Sequence, residues 1–175
     1  NYDFVGNVLE SLEIQNVGSD ENTTHLEYIY DHFDRLLETY ITVNNGDKVL
    51  LSQMNYNELG ELEEKNLHSS DMGLIAQSID YKYNIRGLLT NINDPAQLSL
   101  ESDMFEMELL YEDTDNDVGN SAVYNGNISG VKWSRGEDDI QTYNYAYDDI
   151  NRITAANYKK YNGSTWSSNA FNATY

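Results

Sequence analysis

A tyrosine followed by aspartate or asparagine recurs at a nearly constant spacing along this chain of 175 residues. The copies begin at Tyr2, Tyr30, Tyr56, Tyr83 and Tyr147, and the first four are separated by 28, 26 and 27 residues. Self-similarity at such a period is typical of repeat proteins, in which each unit buries its apolar side chains against its neighbours. The repeat therefore constrains the fold more than any other feature of the chain.

Each copy has the composition of a β-turn between two strands. After the tyrosine comes a short polar side chain that can hydrogen-bond the backbone of its own turn: Asp3, Asp31, Asn57, Asn84 or Asp148. Four residues after the tyrosine stands a type that readily adopts positive φ: Gly6, Asp34, Gly60, Gly87 or Asn151. Arg35 and Arg152 follow two of these positions, and alternating β-branched and aromatic residues come after Arg35. We therefore expect an all-β fold of consecutive antiparallel hairpins, one per repeat, in one curling sheet.

The repeats extend along the whole chain, so we predict a single array over residues 1–175. A looser copy begins at Tyr124, and a non-repeat insertion at about residues 91–117 is expected to form a short helix or an irregular loop. Tyr175 lies 28 residues after Tyr147, where another copy would open. These features favour a fragment of a larger protein.

The composition excludes several partners. The formal net charge is -20, with a pI near 4.1, so nucleic acid and anionic lipid surfaces would be repelled. The apolar runs are far shorter than the roughly 18 residues that a membrane-spanning helix needs. With no cysteine in the chain, neither a disulfide nor a thiolate site can form.

The segment Tyr30–Leu36, with its sequence Tyr-Asp-His-Phe-Asp-Arg-Leu, closely resembles the YD repeats of bacterial Rhs proteins. The segments Tyr56–Leu62, Asp80–Gly87 and Tyr124–Gly130 look like the Rhs proteins of Bacteroidetes-type bacteria in particular. This resemblance implies a spiralling β-hairpin shell that encapsulates or scaffolds a C-terminal toxin or effector domain. It also implies a secreted or cell-surface protein whose partners are the remainder of its own polypeptide, with its cargo domain, and a secretion machinery.

The resemblance does not extend to the self-cleaving Asp-Pro-x-Gly motif with which many Rhs shells end. Asp94-Pro95 is followed by Ala96 and Gln97, so we expect no cleavage by this segment. The histidines, His25, His32 and His68, have no recognisable catalytic setting, and Ser129 is misplaced for a nucleophile elbow. We therefore expect a structural protein without catalytic residues, and not an enzyme.

An acidic run from Asp113 to Asp117 begins like a calcium loop, with oxygen ligands at alternating positions. The glycine and the final glutamate of such a loop are replaced by Val118 and Tyr124. A solvated acidic turn is the better interpretation, so we predict no metal and no cofactor.

The chain has 15 tyrosines and two tryptophans, Trp133 and Trp166. Tyrosines two residues apart, such as Tyr28 and Tyr30, lie on one face of a strand and favour a ladder of packed rings between adjacent hairpins. Aromatic rings also stack on sugars, so a cell-surface carbohydrate-binding or adhesion module is the alternative function.

Overall fold

A computed structural model of the chain describes residues 1–69, 74–93, 103–136, 139–168 and 171–174. The described residues form antiparallel β-strands and no helix, which confirms the prediction of an all-β antiparallel fold. Backbone contacts divide the chain into two compact units, Asn1–Ile79 and Asp80–Tyr175. The curling of the sheet, its closure into a shell and the single array over residues 1–175 stay predictions.

The first unit is a meander in which each strand pairs with the next along the chain. Its strands are β1 (Glu10–Val17), β2 (Asp20–Tyr30), β3 (Leu36–Val43), β4 (Val49–Tyr56) and β5 (Leu62–Ser69). Strand β6 (Ile75–Tyr83) begins in this unit and ends in the second.

The second unit continues with the same antiparallel pairing of neighbours. Its strands after β6 are β7 (Leu89–Ile92), β8 (Glu106–Leu110), β9 (Gly130–Ser134), β10 (Gln141–Tyr147), β11 (Ile153–Tyr161), β12 (Trp166–Ser168) and β13 (Ala173–Thr174). Both β12 and β13 pair with β11, at Lys159–Tyr161 and at Ala155–Ala156 respectively. Within the described residues, no helix is long and apolar enough to cross a membrane.

Strand alternation separates an apolar face from a polar face in the first unit, because successive side chains point to opposite sides. The cross-strand registers place mainly apolar side chains on one face, among them Leu26, Tyr28, Tyr30, Ile41, Met54, Tyr56 and Leu67, with Lys65 opposite Met54. The other face is mainly polar or charged, with His25, Glu27, Glu38, Gln53 and Glu64, although Ile29 and Tyr40 also lie on it. The tyrosines that precede the repeated turns therefore lie on the apolar face.

The second unit has the same division of faces. Its apolar face carries Tyr81, Ile92, Met107, Leu109, Val131, Trp133, Tyr143, Tyr145 and Tyr158. Its polar face carries Asn91, Glu108, Lys132, Thr142 and Lys159. No acidic side chain is among those registered on the apolar strand face of this unit, although Lys160 lies there opposite Gln141.

A long loop, residues 112–129, joins β8 to β9 and packs on the polar face. Val118 inserts completely, with 0% of its surface exposed, beside Gly130 at the start of β9. Asn120 ties the loop together: its amide nitrogen donates to the backbone oxygen of Asp113 at 2.8 Å and to the hydroxyl of Ser129 at 2.7 Å. The loop thus supplies much of the small buried core of this unit.

Part of the predicted insertion is a strand. Glu106 and Met107, which were expected in a short helix or an irregular loop, lie in β8 and pair with β9. Gln97–Leu100 and the Asp94-Pro95 pair lie outside the described residues, as does Tyr175. The irregular segment of this region that the structure describes is instead the loop after β8.

Replacing Gly130 with alanine tests this packing. A Cβ at Gly130 would lie 2.7 Å from Cγ1 of Val118 and 3.3 Å from the backbone oxygen of Tyr143, which is too close for either contact. We expect Gly130→Ala to lower the free energy of unfolding by about 1–3 kcal/mol in urea titrations. Ser121→Ala, at an exposed position of the same loop, is the control and should change it by less than about 0.5 kcal/mol.

Candidate functional site

The repeated turns share one backbone geometry. In each, the residue after the tyrosine donates its N–H to the carbonyl oxygen four residues later, as from Asp31 to Arg35 at 2.9 Å. The equivalent bonds start from Asp3, Asn57, Asn84 and Asp148, at 3.0, 2.9, 2.9 and 2.9 Å. Every one of these turns therefore closes a loop of the same size.

The short polar side chain after each tyrosine binds the amides inside its own turn. Oδ1 of Asp31 accepts the N–H of Phe33 at 2.8 Å and the N–H of Arg35 at 2.9 Å. The same two positions donate to the side chains of Asn57, Asn84 and Asp148, and the corresponding amides of Val5 and Asn7 donate to Asp3. This column of residues holds the turns from within.

Positive φ recurs four residues after the tyrosine. Gly6, Gly60 and Gly87 have φ values of 102°, 84° and 73°, and Asp34 and Asn151 have values of 62° and 65°. Glycine has no Cβ to clash in this region, and aspartate and asparagine tolerate it better than other side chains do. The structure thus puts this column of predicted residues at the positions where the chain reverses.

The next position carries the partner of the turn's polar side chain, and the two are chemically matched. In two turns an arginine pairs with an aspartate: Nε of Arg35 donates to Oδ2 of Asp31 at 2.7 Å, and Arg152 contacts Asp148 in the same way.

Where the turn has an asparagine instead, donor and acceptor are exchanged. Nδ2 of Asn57 donates to Oε2 of Glu61 at 2.8 Å. In the first turn, Nδ2 of Asn7 donates to Oδ2 of Asp3 at 2.9 Å, whereas the turn at Asn84 has Leu88 at this position and makes no such bond. Where the turn side chain has a free carboxylate oxygen, its partner is a donor, as in Arg35 and Asn7. Where it has a free amide nitrogen, its partner is an acceptor, as in Glu61.

The repeat tyrosines link each turn to the one before it. The hydroxyl of Tyr30 donates to the carbonyl oxygen of Val8 at 3.1 Å, and that of Tyr56 donates to Leu36 at 3.0 Å. Val8 and Leu36 occupy the same place, six residues after the preceding repeat tyrosine. The hydroxyl of Tyr147 donates similarly to Ile128, at 2.7 Å.

Sequence reasoning missed one member of this column, Tyr111. Its hydroxyl donates to the carbonyl oxygen of Leu89 at 3.0 Å, and Leu89 lies six residues after Tyr83. Tyr111 is 28 residues after Tyr83 and only 7% exposed, whereas Tyr124, where a looser copy was predicted, is 76% exposed. The spacing was a sufficient signal, but Glu112 follows the tyrosine in place of aspartate or asparagine.

Neighbouring turns also touch through their side chains. The guanidinium of Arg35 lies 4.6 Å from the ring centroid of Tyr56 in the next repeat, in cation–π geometry. Nδ2 of Asn7 donates to Oδ1 of Asp34 in the following turn at 3.1 Å. The turns of the first unit therefore form a connected row along one end of its strands.

Hydrogen bonds hold the pKa of the turn aspartates below their ordinary value of 3.8. For Asp31, partial desolvation acts to raise the pKa, but the amides of Arg35 and Phe33 and the Arg35 side chain lower it on balance. For Asp148, the hydrogen bond from the amide of Arg152 is the main cause of the lowered pKa. The charged form of both carboxylates is thus favoured by folding.

The acidic run from Asp113 to Asp117 is engaged in the loop itself. Oδ1 of Asp115 accepts the amides of Asp117 and Val118 at 2.7 and 3.2 Å, and Oδ2 lies 3.2 Å from Nζ of Lys132. Across the described ranges, no group of three or more histidine, cysteine or acidic residues is arranged to hold a metal ion.

The residues weighed for catalysis make contacts of a structural kind. The ring of His32 packs on Phe33 with centroids 3.9 Å apart, and Nδ1 of His25 lies 3.7 Å from Oε1 of Glu27. Ser129 is fully buried under the loop. None of these contacts forms a nucleophile with a base beside it.

Aromatic side chains of the second unit pack against one another. Trp133 and Tyr143 stack with centroids 5.9 Å apart and an interplanar angle of 12°, and Tyr143 stacks on Tyr145 at 6.0 Å and 13°. Phe171 meets Tyr158 edge to face at 5.3 Å. These distances and angles are typical of aromatic side chains that pack as neighbours on one face of a sheet.

No protein-family model matches this chain, and no curated protein matches it. Among solved structures, it is similar to a porin-like protein from Bacteroides uniformis ATCC 8492, with 12% identity and a TM-score of 0.27. The similarity covers 93% of this chain and 92% of that one. At this identity and TM-score the likeness supports no conclusion about fold or function, so the function rests on the geometry of the chain itself.

Substitutions of Asn57 and Glu61 test whether the two paired side chains of a turn must be a donor and an acceptor. Asn57→Asp would place a second carboxylate against Glu61, and we expect it to lower the free energy of unfolding at neutral pH by about 1 kcal/mol. Glu61→Arg alone removes the acceptor of Asn57 and should also destabilise. The double variant recreates the pair seen at Asp31 and Arg35, so it should be more stable than either single variant in urea titrations. Simple addition of the two losses would contradict the matching.

The lowered aspartate pKa values predict acid sensitivity. Because the pKa of Asp31 and of Asp148 is lower in the folded than in the unfolded chain, their stabilisation is complete above the ordinary value of 3.8 and is lost as the pH falls through the folded values. We expect the free energy of unfolding, measured from about pH 7 to about pH 3, to decline below about pH 4. The double variant Asp31→Asn/Asp148→Asn should decline less steeply, and an equal slope would contradict this origin.

Proposed function

We propose that this chain is a structural segment of the β-hairpin shell of a large secreted or cell-surface Rhs-type protein. In this role it forms part of the wall that encapsulates or scaffolds a C-terminal toxin or effector domain, and it carries out no catalysis. The observation that carries the proposal is the recurrence of one hydrogen-bonded turn, with its tyrosine linked to the preceding repeat. A turn that recurs in this way allows a sheet to grow by regular addition of hairpins. This suits the wall of a shell better than a binding pocket.

The division of faces supports the same role. A wall that encloses cargo has one side against the cargo and the other in solvent, and each unit has one face richer in aromatic and aliphatic residues and one richer in polar residues. The net charge of -20 keeps the polar side solvated. The partners are accordingly the remainder of the polypeptide, including the cargo domain, and the secretion machinery that exports it.

The alternative, a carbohydrate-binding or adhesion module, has less support. The rings of Trp133, Tyr143 and Tyr145 pack as a row of neighbours on one face of the sheet, which cross-strand packing by itself explains. The structural role is therefore the better account of the aromatic residues.

Electron microscopy of the full-length parent protein tests the proposal. We expect a closed, hollow particle with density inside it, and deletion of the C-terminal domain should empty the cavity while the wall remains. A solid particle or an extended rod would contradict the shell, and glycan-array binding by this chain would then become the relevant measurement.

A further inference from the structure

One long edge of the first unit has no strand beside it among the described residues. Strand β1 pairs with β2 on one side alone, and all eight of its residues are exposed. Three of the exposed side chains are large and apolar: Leu12, Ile14 and Val17 are 62%, 51% and 66% exposed. An open strand edge with exposed apolar side chains is a template for pairing with another strand.

The backbone bonds of Glu10 show which groups face this edge. The N–H and C=O of Glu10 bond to the backbone oxygen and nitrogen of Asn1, at 3.4 and 3.0 Å, on the side away from β2. Because these directions alternate along a strand, the N–H and C=O groups of Leu12, Ile14 and Asn16 point to the same side. Each of these groups offers a ladder bond to an incoming strand.

The first repeated turn sets the direction of such a strand. Tyr2 and Val8 form an antiparallel bridge, and Asn1 already bonds to Glu10 as the first rung beyond it. In the turn at Asp31, the strand that ends at the tyrosine pairs with the strand that leaves the turn. By the same geometry, the strand on the outer edge of β1 runs antiparallel to it and starts its ladder at Glu10.

The negative charge of this region favours an incoming strand that carries cations. Residues 1–34 contain eight acidic side chains and neither lysine nor arginine. Glu10 lies directly opposite Glu27, and the one cation contacting this pair, Lys48, bonds to Glu27. A cross-strand cation beside Glu13, on the other face of β1, would be attracted to this acidic edge, whereas the acidic β1 of a second copy would be repelled by it.

We propose that the outer edge of β1 is the docking site of an antiparallel strand that alternates lysine or arginine with aliphatic residues. This inference rests on the proposed function, because the docked strand belongs to the same larger polypeptide. Its backbone pairs with Leu12, Ile14 and Asn16, its aliphatic side chains cover Leu12 and Ile14 on one face of β1, and its cations lie on the opposite face, beside Glu13. Main-chain bonds give the affinity and the alternating side chains give the specificity.

A synthetic decapeptide of alternating lysine and valine, blocked at both ends, probes the edge on the 175-residue chain. We expect binding in calorimetry, with slower hydrogen exchange at the amides of Leu12, Ile14 and Asn16 in NMR spectra. A matched peptide with glutamate in place of lysine should bind at least about tenfold more weakly, and about 0.5 M salt should reduce the difference. Equal binding of the two peptides would overturn the proposed chemistry.

Substitution at Ile14 tests the position of the site. Ile14→Pro removes an amide that points to the outer edge and is not needed for pairing with β2, so the chain should keep its circular dichroism spectrum and lose at least about tenfold in affinity for the lysine peptide. Ile14→Val is the matched control and should bind as the natural chain does. If the proline variant does not fold, Glu13→Gln serves instead and should weaken lysine-peptide binding severalfold; unchanged affinity would overturn the site.

Hydrogen exchange in the full-length parent tests the origin of the strand. The amides of Leu12, Ile14 and Asn16 should exchange much more slowly there than in the 175-residue chain. Equally fast exchange in both would overturn the inference, as would dimerisation of the chain that Ile14→Pro abolishes, since the occupant would then be a second copy. Slow exchange in a parent that microscopy shows to be a solid rod would sustain the docked strand and contradict the shell, so the two failures are distinguishable.

Discussion

Each repeated turn directs backbone amides into its own small loop, where no neighbouring strand can pair with them. The oxygen of the short side chain after the tyrosine accepts these amides, as Asp31 does for Phe33 and Arg35. Each such hydrogen bond contributes about 0.5–1.5 kcal/mol to stability, so the tight turn depends on this side chain. After Tyr111 the longer side chain of Glu112 stands at this position, and there the tight turn gives way to the loop of residues 112–129.

The tyrosine hydroxyl connects a turn with the repeat that precedes it. Its bond to the chain that leaves the previous turn, as from Tyr56 to Leu36, sets each hairpin against its predecessor. The cation–π contact between Arg35 and Tyr56 adds a second link at the same place. Because each link joins one hairpin to the next, stability in this arrangement is shared between neighbours and is not concentrated in a central core.

Few described side chains are fully buried, and this has consequences at the strand edges. The apolar residues with almost no exposure, Leu110, Tyr111, Val118 and Tyr158, all belong to the second unit, where the loop after β8 covers part of the polar face. Strand β1 of the first unit is exposed along its whole length. Hairpins with so little buried area need strands beside them, which connects the proposed wall with the open edge of β1.

The sequence by itself determined the features that depend on neighbouring residues. Strand alternation, the turn position after Tyr30 and the positive φ of Asp34 are local, because backbone sterics and short-range hydrogen bonds decide them. Only the tertiary structure decided the role of Tyr111, the packing of Val118 on Gly130 and the strand at Glu106–Leu110. These depend on contacts between residues far apart in the chain, for which no local pattern specifies the partner.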